Sequence, residues 1–84
     1  MEVNIMRDEL NEVLGMADKI KVDHQQVADK LKYSYVYIAK IRSGERCNKN
    51  TKENQDLMQK IIIAYRKEIE ILLTNLNVIY NEIN

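Results

Sequence analysis

A chain of 84 residues with 13 basic residues, 13 acidic residues and one cysteine has the size of a single small domain. We therefore expect no separate catalytic domain, no intrachain disulfide and no structural zinc cluster. The acidic start and the shortness of every apolar run predict neither a secretory leader nor a membrane span, so a cytoplasmic protein is expected.

The balanced net charge conceals an uneven distribution along the chain. Residues 1–18 hold one base and five acids, residues 19–52 hold nine bases and three acids, and residues 53–84 hold three bases and five acids. A basic middle between acidic ends is typical of a surface that faces phosphates. The alternative is that helix surfaces simply vary in charge.

The first predicted helix covers about residues 4–20. With no proline and only two glycines in the chain, helices joined by short turns are favoured over a sheet. Apolar residues in this segment alternate at spacings of four and three, which places them on one face of an amphipathic helix. They are Met6, Leu10, Val13, Ala17 and Ile20, with Leu14 widening the stripe.

A second helix is predicted to begin at His24. Asp23 before it has the chemistry of an N-cap, and Gln26 completes a capping box. Val22 and Val27 occupy the two positions of a hydrophobic staple. The helix is expected to run to about Lys30 and to bury Val27, Ala28 and Leu31.

A third helix is predicted after a break at residues 32–33. Ser34 is its expected N-cap, and Gly44 is its expected left-handed stop. A polar loop follows, in which Asn50 and Glu53 form another capping box. The inward-facing residues of this helix are predicted to be Tyr37, Ile38 and Ile41.

Everything after Asn50 is predicted to form one long helix with a heptad pattern. About 33 helical residues extend roughly 50 Å, which is longer than the rest of the chain can cover, so self-association is favoured. The alternative is that the segment folds back in two halves with a break at residues 74–77. The heptad residues, predicted to form the dimer contact in either a parallel or an antiparallel arrangement, are Met58, Ile62, Tyr65, Ile69, Leu72, Leu76, Ile79 and Ile83.

The run from Asp23 to Gly44 resembles the helix-turn-helix of the phage repressor/Cro-like family, also called Xre. The resemblance covers about a quarter of the chain and extends weakly through the first helix. Two departures are Lys32, where the family commonly has glycine, and Arg42, where it often has an acid. The long C-terminal helix also replaces the usual pair of short helices. The matching family positions are Ser34, Tyr37, Ile38, Ile41 and Gly44.

The resemblance implies an all-α fold in which the second helix of the motif lies in the major groove of DNA. Lys40 is the best candidate for reading bases, because a lysine can donate to guanine O6 and N7. The residues expected to face bases are Ser34, Tyr35, Val36, Ala39, Lys40 and Ser43. The residues expected to meet phosphates are His24 (through its backbone N–H), Lys32, Arg42, Arg46 and Lys49.

Several of these residues also have simpler interpretations. His24 could be a solvated surface histidine, and one histidine with one cysteine does not predict a metal site. Cys47 in a polar loop is more often an incidental free thiol than a sensor. Tyr33 and Tyr37 are expected in the core, which leaves Tyr35 as the exposed tyrosine of the motif.

The sequence therefore predicts a helix-turn-helix domain at residues 1–50 and a dimerisation helix at residues 51–84. The expected function is that of a bacterial or phage transcriptional regulator, most simply a repressor, which binds an inverted-repeat operator in double-stranded DNA as a homodimer. The alternative is a protein-interaction module, similar to an antirepressor or antitoxin, whose C-terminal helix captures another protein. No catalytic constellation is evident, and no cofactor or small-molecule ligand is expected.

Overall fold

The computed structural model describes the backbone of residues 2–83 and the side chains of residues 2–76. The described chain contains four α-helices and no strand, which confirms the predicted all-α class. Nothing in it forms a helix both long enough and apolar enough to cross a membrane. The helices are α1 (Val3–Lys19), α2 (His24–Leu31), α3 (Tyr35–Ser43) and α4 (Lys52–Ile83).

The two long helices, α1 and α4, form the main packing contact of the molecule. They run in the same direction, because Val3 near the start of α1 contacts Asn50 just before α4, and Glu9 pairs with Arg66 further along. Their facing stripes are fully buried at Leu10 and Ala17 of α1 and at corresponding positions of α4. The stripe predicted for α1 is therefore a core face, as expected for an amphipathic helix.

The heptad stripe of α4 is divided between the core and the exterior. Its first four residues are no more than 6% exposed within a single chain, so they are core residues rather than the predicted dimer contact: Met58, Ile62, Tyr65 and Ile69. A stripe buried in the core and a stripe buried in a dimer have the same heptad periodicity. In this chain α1 is the helix that covers these four residues. Leu72 packs partly against the core, whereas Leu76 is 54% exposed. Ile79 and Ile83 lie outside the described side chains.

The helix α4 continues without a break through Thr74. The alternative of two halves folding back on the body is therefore not what the chain does. A continuous helix of 32 residues is about 48 Å long, which matches the largest dimension of the molecule, 49 Å. The part after the core stripe carries exposed apolar residues, of which Ile71 still lies beside α2.

Lys32 makes the turn between α2 and α3 in a left-handed conformation, with φ 62° and ψ 35°. Its N–H donates to the carbonyl of Asp29, and the N–H of Tyr33 donates to that of Ala28. These two bonds form a Schellman motif, which usually employs glycine because a side chain is strained there. The turn is thus as tight as one made by glycine, although the sequence supplies a lysine.

The caps of α2 and α3 agree with the sequence, and the cap of α4 does not. Asp23 accepts from the N–H of Gln25, and Ser34 accepts from that of Tyr37. The N-cap of α4 is Thr51, whose hydroxyl accepts from the N–H of Asn54, so the predicted cap at Asn50 is wrong by one residue.

The side chain of Asn50 instead caps a different helix. Its Oδ1 accepts from the backbone N–H of Val3, 3.1 Å away, at the start of α1. The residue before α1, Glu2, makes no side-chain cap of its own. A free N–H at a helix start requires an acceptor, and a loop 47 residues away supplies it.

Candidate nucleic-acid interface

One side of α3 is anchored in the core and the other is open to solvent. Ile38 and Ile41 are completely buried, and they fix the helix against the rest of the molecule. On the opposite side Tyr35 is 44% exposed and Val36 is 60% exposed. Tyr35 and Val36 are neighbours in the sequence, so together they offer an apolar surface at the start of α3.

The remaining residues predicted to face bases differ in exposure and in the hydrogen bonds that they already make. Ala39 and Lys40 are half-buried, while Ser34 and Ser43 are exposed. The oxygen of Ser34 already accepts a bond as the N-cap, and the hydroxyl of Ser43 donates to the carbonyl of Lys40 at 3.0 Å. The ammonium of Lys40 is therefore the strongest hydrogen-bond donor among the six side chains.

Arg42 lies between the exposed face of α3 and the core. Its guanidinium carbon is 5.7 Å from the centre of the Tyr35 ring, a cation–π geometry that orders this exposed tyrosine. Its Nε is buried without a hydrogen-bond partner among the described residues. The terminal nitrogens of the same guanidinium are the part through which the predicted phosphate contact would be made.

His24 connects the start of α2 to two other helices. Its Nδ1 is 2.7 Å from the hydroxyl oxygen of Tyr65 in α4, and its Nε2 is 3.4 Å from a carboxylate oxygen of Asp18 in α1. Because its side chain is only 18% exposed, the interpretation as a solvated surface histidine is wrong. The predicted phosphate contact concerns its backbone N–H at the first position of α2, where anions are favoured.

The buried Tyr65 is the hydrogen-bond partner of His24 in α4. Burial raises the pKa of Tyr65 to about 12, an effect that Arg42 partly offsets and Asp18 reinforces. Tyr65 therefore stays protonated at neutral pH, with its hydroxyl hydrogen-bonded to Nδ1 of His24. The other ring nitrogen of His24, Nε2, faces Asp18.

A shallow groove of about 320 Å³ runs beside α3. Ala39 and Ser43 form one wall, and Asp18 and His24 form another, with Arg42 between them. The groove joins the N-terminus of α2 to the exposed face of α3. It therefore brings predicted base-facing and phosphate-facing residues next to each other.

The other predicted phosphate contacts are exposed lysine and arginine side chains at the two ends of α3. Lys32 precedes the helix in the left-handed turn, while Arg46 and Lys49 follow it. The backbone of Arg46 is fixed, because its N–H donates to the carbonyl of Lys40 at 3.1 Å. The two ends of α3 are thus both positively charged.

Arg7 was not predicted as important, yet it holds the C-terminal end of α3 in place. Its guanidinium donates to the carbonyl oxygens of Ile41, Arg46 and Cys47. Carbonyls at the end of a helix lack partners within the helix. The only signal in the sequence is that Arg7 is the single base among residues 1–18.

Cys47 also differs from its interpretation as an incidental loop thiol. It is 8% exposed, and its backbone is left-handed with φ 61°. Burial raises the pKa of its thiol above the usual value, and nearby Arg7 offsets part of the effect. The residue is therefore a small core side chain under the loop that follows α3.

Among the residues whose side chains are described, no group of three histidine, cysteine, aspartate or glutamate residues is placed to hold a metal ion. Comparison of the chain with protein-family models, curated proteins and solved structures gave no match. The function is therefore argued from the residues and their geometry.

Proposed function

We propose that this protein binds double-stranded DNA through α3 and acts as a transcriptional regulator. The observation that carries the proposal is the pair of capped helices α2 and α3, joined by a left-handed residue, with the second helix buried on one side and exposed on the other. This is the geometry in which a helix can project from its body into a major groove.

The dimensions and charges around α3 suit this role. An α-helix with its side chains is about 10–12 Å across, which fits a major groove about 12 Å wide. Tyr35 and Val36 offer apolar contacts of the kind that thymine methyl groups make, and Lys40 offers a donor. The basic side chains at both ends of α3 supply the positive charge that binding to phosphates requires. Binding to an operator with this surface would most simply repress transcription.

The proposal includes a homodimer formed by the distal part of α4. Leu73 and Leu76 are 43% and 54% exposed there, and Leu72 lies at the edge of the core. Leu72 and Leu76 continue the heptad register of the buried stripe. A two-fold dimer through this segment would present two α3 helices to an inverted repeat.

The binding experiment uses fluorescence anisotropy with labelled duplexes at several salt concentrations. We expect the affinity to fall steeply between about 50 and 200 mM salt, because bound phosphates release counterions. Lys49→Ala is expected to weaken binding to all sequences equally, with a salt slope lower by about one per chain. Lys40→Ala is expected to weaken binding to a preferred site about 5- to 100-fold more than binding to random duplex.

The matched control is Lys60→Ala, which removes the same charge from an exposed position of α4 outside the interface. It should leave both the affinity and the sequence preference unchanged. An absence of binding to any duplex at low salt would contradict the proposal. Equal effects of Lys40→Ala and Lys60→Ala would remove Lys40 from the base-reading surface.

The capture of another protein is the second candidate function, and the exposed apolar end of α4 favours it. Leu73 and Leu76 would suit a foreign helix as well as a second copy. The two candidates differ in the pure protein, because a segment that captures a foreign partner does not pair with itself. Sedimentation equilibrium of the wild type and of Leu76→Asp separates them, since only the homodimer predicts a mass that this substitution lowers.

A further inference from the structure

The helix α4 has a second apolar face, beside the face that packs on α1. Ile63 is 55% exposed and Ile71 is 39% exposed, and Ala64 lies between them. These three side chains lie within about 100° of one another around the helix axis. Ala64 packs partly against the core, and the proposed dimer contact does not use this face.

Beside this face lies a groove of about 440 Å³ between α4 and the end of α2. Leu31, Ile63 and Ala64 form its apolar floor, and Lys30, Lys60 and Lys67 lie around it. Lys30 is paired with the buried carboxylate of Glu68, which also lines the groove. Lys60 and Lys67 form no ion pair with any side chain that the structure describes.

The lysines determine what kind of surface can occupy the groove. Two copies of the same groove placed face to face would bring Lys60 and Lys67 of each copy together, and like charges in contact are unfavourable. An occupant should instead be apolar with carboxylates between its apolar residues. Such a surface would cover the apolar floor of the groove and neutralise the charge of the lysines around it.

The outer face of α1 has this chemistry. Ile5 and Met16 are 54% and 51% exposed, and the exposed acids Asp8 and Glu12 lie between them. Spacings of three, four and four residues put all four side chains on one side of the helix. The face from Ile5 to Met16 is about 16 Å long, as is the stretch from Lys60 to Ile71.

We propose that the groove between α2 and α4 binds the outer face of α1 from a second copy of this chain. The contact joins two different surfaces, so it is head-to-tail: it gives a ring where the rotation between copies closes and an open chain where it does not. Its area belongs to the small class, below about 1,200 Å² in total, which makes it weak in free solution. The inference does not depend on DNA binding.

The first test is sedimentation equilibrium from micromolar to millimolar concentration, with Leu76→Asp added to block the distal end of α4. We expect a weight-average mass that rises with concentration above that of the monomer, because every copy carries both the groove and the outer face of α1. A constant monomer mass throughout this range overturns the proposal.

Reversal of the charges identifies the surfaces. In the same background, Lys60→Glu with Lys67→Glu, and Asp8→Lys with Glu12→Lys, should each lower the association constant at least tenfold. An equal mixture of the two double variants should recover it, because each reversed face again meets an opposite one. Lys19→Glu with Lys52→Glu is the control, since it changes the charge equally at exposed positions outside the groove.

Ile63→Ser tests the apolar floor without changing any charge, and it should also lower the association constant. If the double variants associate as the parent does, or if the mixture fails to recover, the contact lies elsewhere and the proposal is wrong. Dilution of isotope-labelled protein gives an independent map by NMR. Resonances of Ile5, Met16 and Ile63 should shift together; shifts at Ile63 alone would mean that another surface occupies the groove.

Discussion

Arg7 joins the beginning of the chain to the segment after α3 through three backbone carbonyl oxygens. Only a guanidinium has the several fixed donors that such an arrangement needs, because the three N–H groups of a lysine radiate from one point. The arginine therefore stabilises the position of α3 without being part of its exposed face. Loss of this contact should therefore affect the stability of the fold more directly than it affects the binding of DNA.

We expect Arg7→Ala to lower the free energy of unfolding by about 2–3 kcal/mol, because three backbone carbonyls, two of them in part-buried contacts, lose charge-assisted bonds. Arg7→Lys should recover only part of the loss. Arg66→Ala is the matched control, since its guanidinium pairs with Glu9 at the surface, and exposed ion pairs contribute at most about 1 kcal/mol. Urea denaturation measures all three. Equal losses for Arg7→Ala and Arg66→Ala would contradict the role given to Arg7.

Lys32 has the left-handed backbone that glycine adopts without strain. We therefore expect Lys32→Gly to raise the free energy of unfolding by up to about 1 kcal/mol. Lys32→Ala retains the strain and removes the same charge, so it separates the backbone effect from the electrostatic one. Lys60→Gly, in the interior of α4, should instead destabilise by about 1 kcal/mol. A less stable Lys32→Gly protein would show that the lysine side chain outweighs the strain.

Tyr65 gives the stability of the protein a dependence on alkaline pH. Burial raises its pKa from 10.0 to about 12 in the folded protein. Folding therefore favours the neutral phenol. The contribution of this phenol to the free energy of unfolding is complete below pH 10 and is lost as the pH rises from 10 to about 12. Two pKa units correspond to about 2–3 kcal/mol.

The comparison with Tyr65→Phe isolates this contribution, because phenylalanine retains the ring and cannot ionise. We expect the wild type to be more stable at neutral pH, where the hydroxyl of Tyr65 is hydrogen-bonded to His24. The difference in unfolding free energy should then decrease across the same alkaline range. Urea titrations at increasing pH measure it, and parallel curves for the two proteins would contradict the assignment.

At the level of the helices, α4 has three functions along one sequence. Its first heptad residues complete the core, its distal residues are proposed to pair with a second copy, and the face beside the core stripe is proposed to receive α1. The first two share the same periodicity, which is why the sequence predicted a single dimer contact. A heptad pattern shows which residues must be buried, but it does not show which helix buries them.

Substitutions at two positions of this stripe should separate its two roles. Ile62→Ala, at a core position that is 3% exposed, is expected to destabilise by about 2–5 kcal/mol and to leave the oligomeric state unchanged. Leu76→Asp should preserve the fold of the single chain and abolish the dimer at low micromolar concentration, where the weaker contact proposed for the groove between α2 and α4 is not populated. Urea denaturation and light scattering measure the two effects. A dimer that survives Leu76→Asp would place the contact elsewhere.

The features that sequence could predict are those made by neighbouring residues. The caps at Asp23 and Ser34 and the stop at Gly44 depend on side chains within a few positions of the backbone they contact. The boundaries of all four helices follow from such signals and from apolar periodicity. The N-cap of α4 was misplaced by one residue because Asn50 and Thr51 have similar capping chemistry.

The contacts that sequence could not predict join distant residues. Arg7 meets Ile41, Asn50 meets Val3, and His24 meets Tyr65, at separations of 34 to 47 residues. Nothing in the composition or spacing distinguishes these polar residues from the others on the surface. They become evident only when α1 and α4 lie side by side and bring both ends of the helix-turn-helix unit against the same core.

For the whole molecule, the distribution of charge and the position of α3 support the same function. The basic segment at residues 19–52 contains α2, α3 and the loop that follows. The core of α1 and α4 lies behind this segment, and the distal half of α4 extends away from it. A second copy paired through that half would set the distance between two α3 helices.

Selection of random duplexes by the purified protein at low salt tests DNA recognition, symmetry and spacing together. We predict the enrichment of inverted repeats whose half-sites lie about one helical turn apart, roughly 34 Å, or a multiple of it. The Lys40→Ala protein should enrich a less restricted set of half-sites. A pool that remains random after repeated rounds with the wild-type protein would contradict the conclusion that α3 reads DNA.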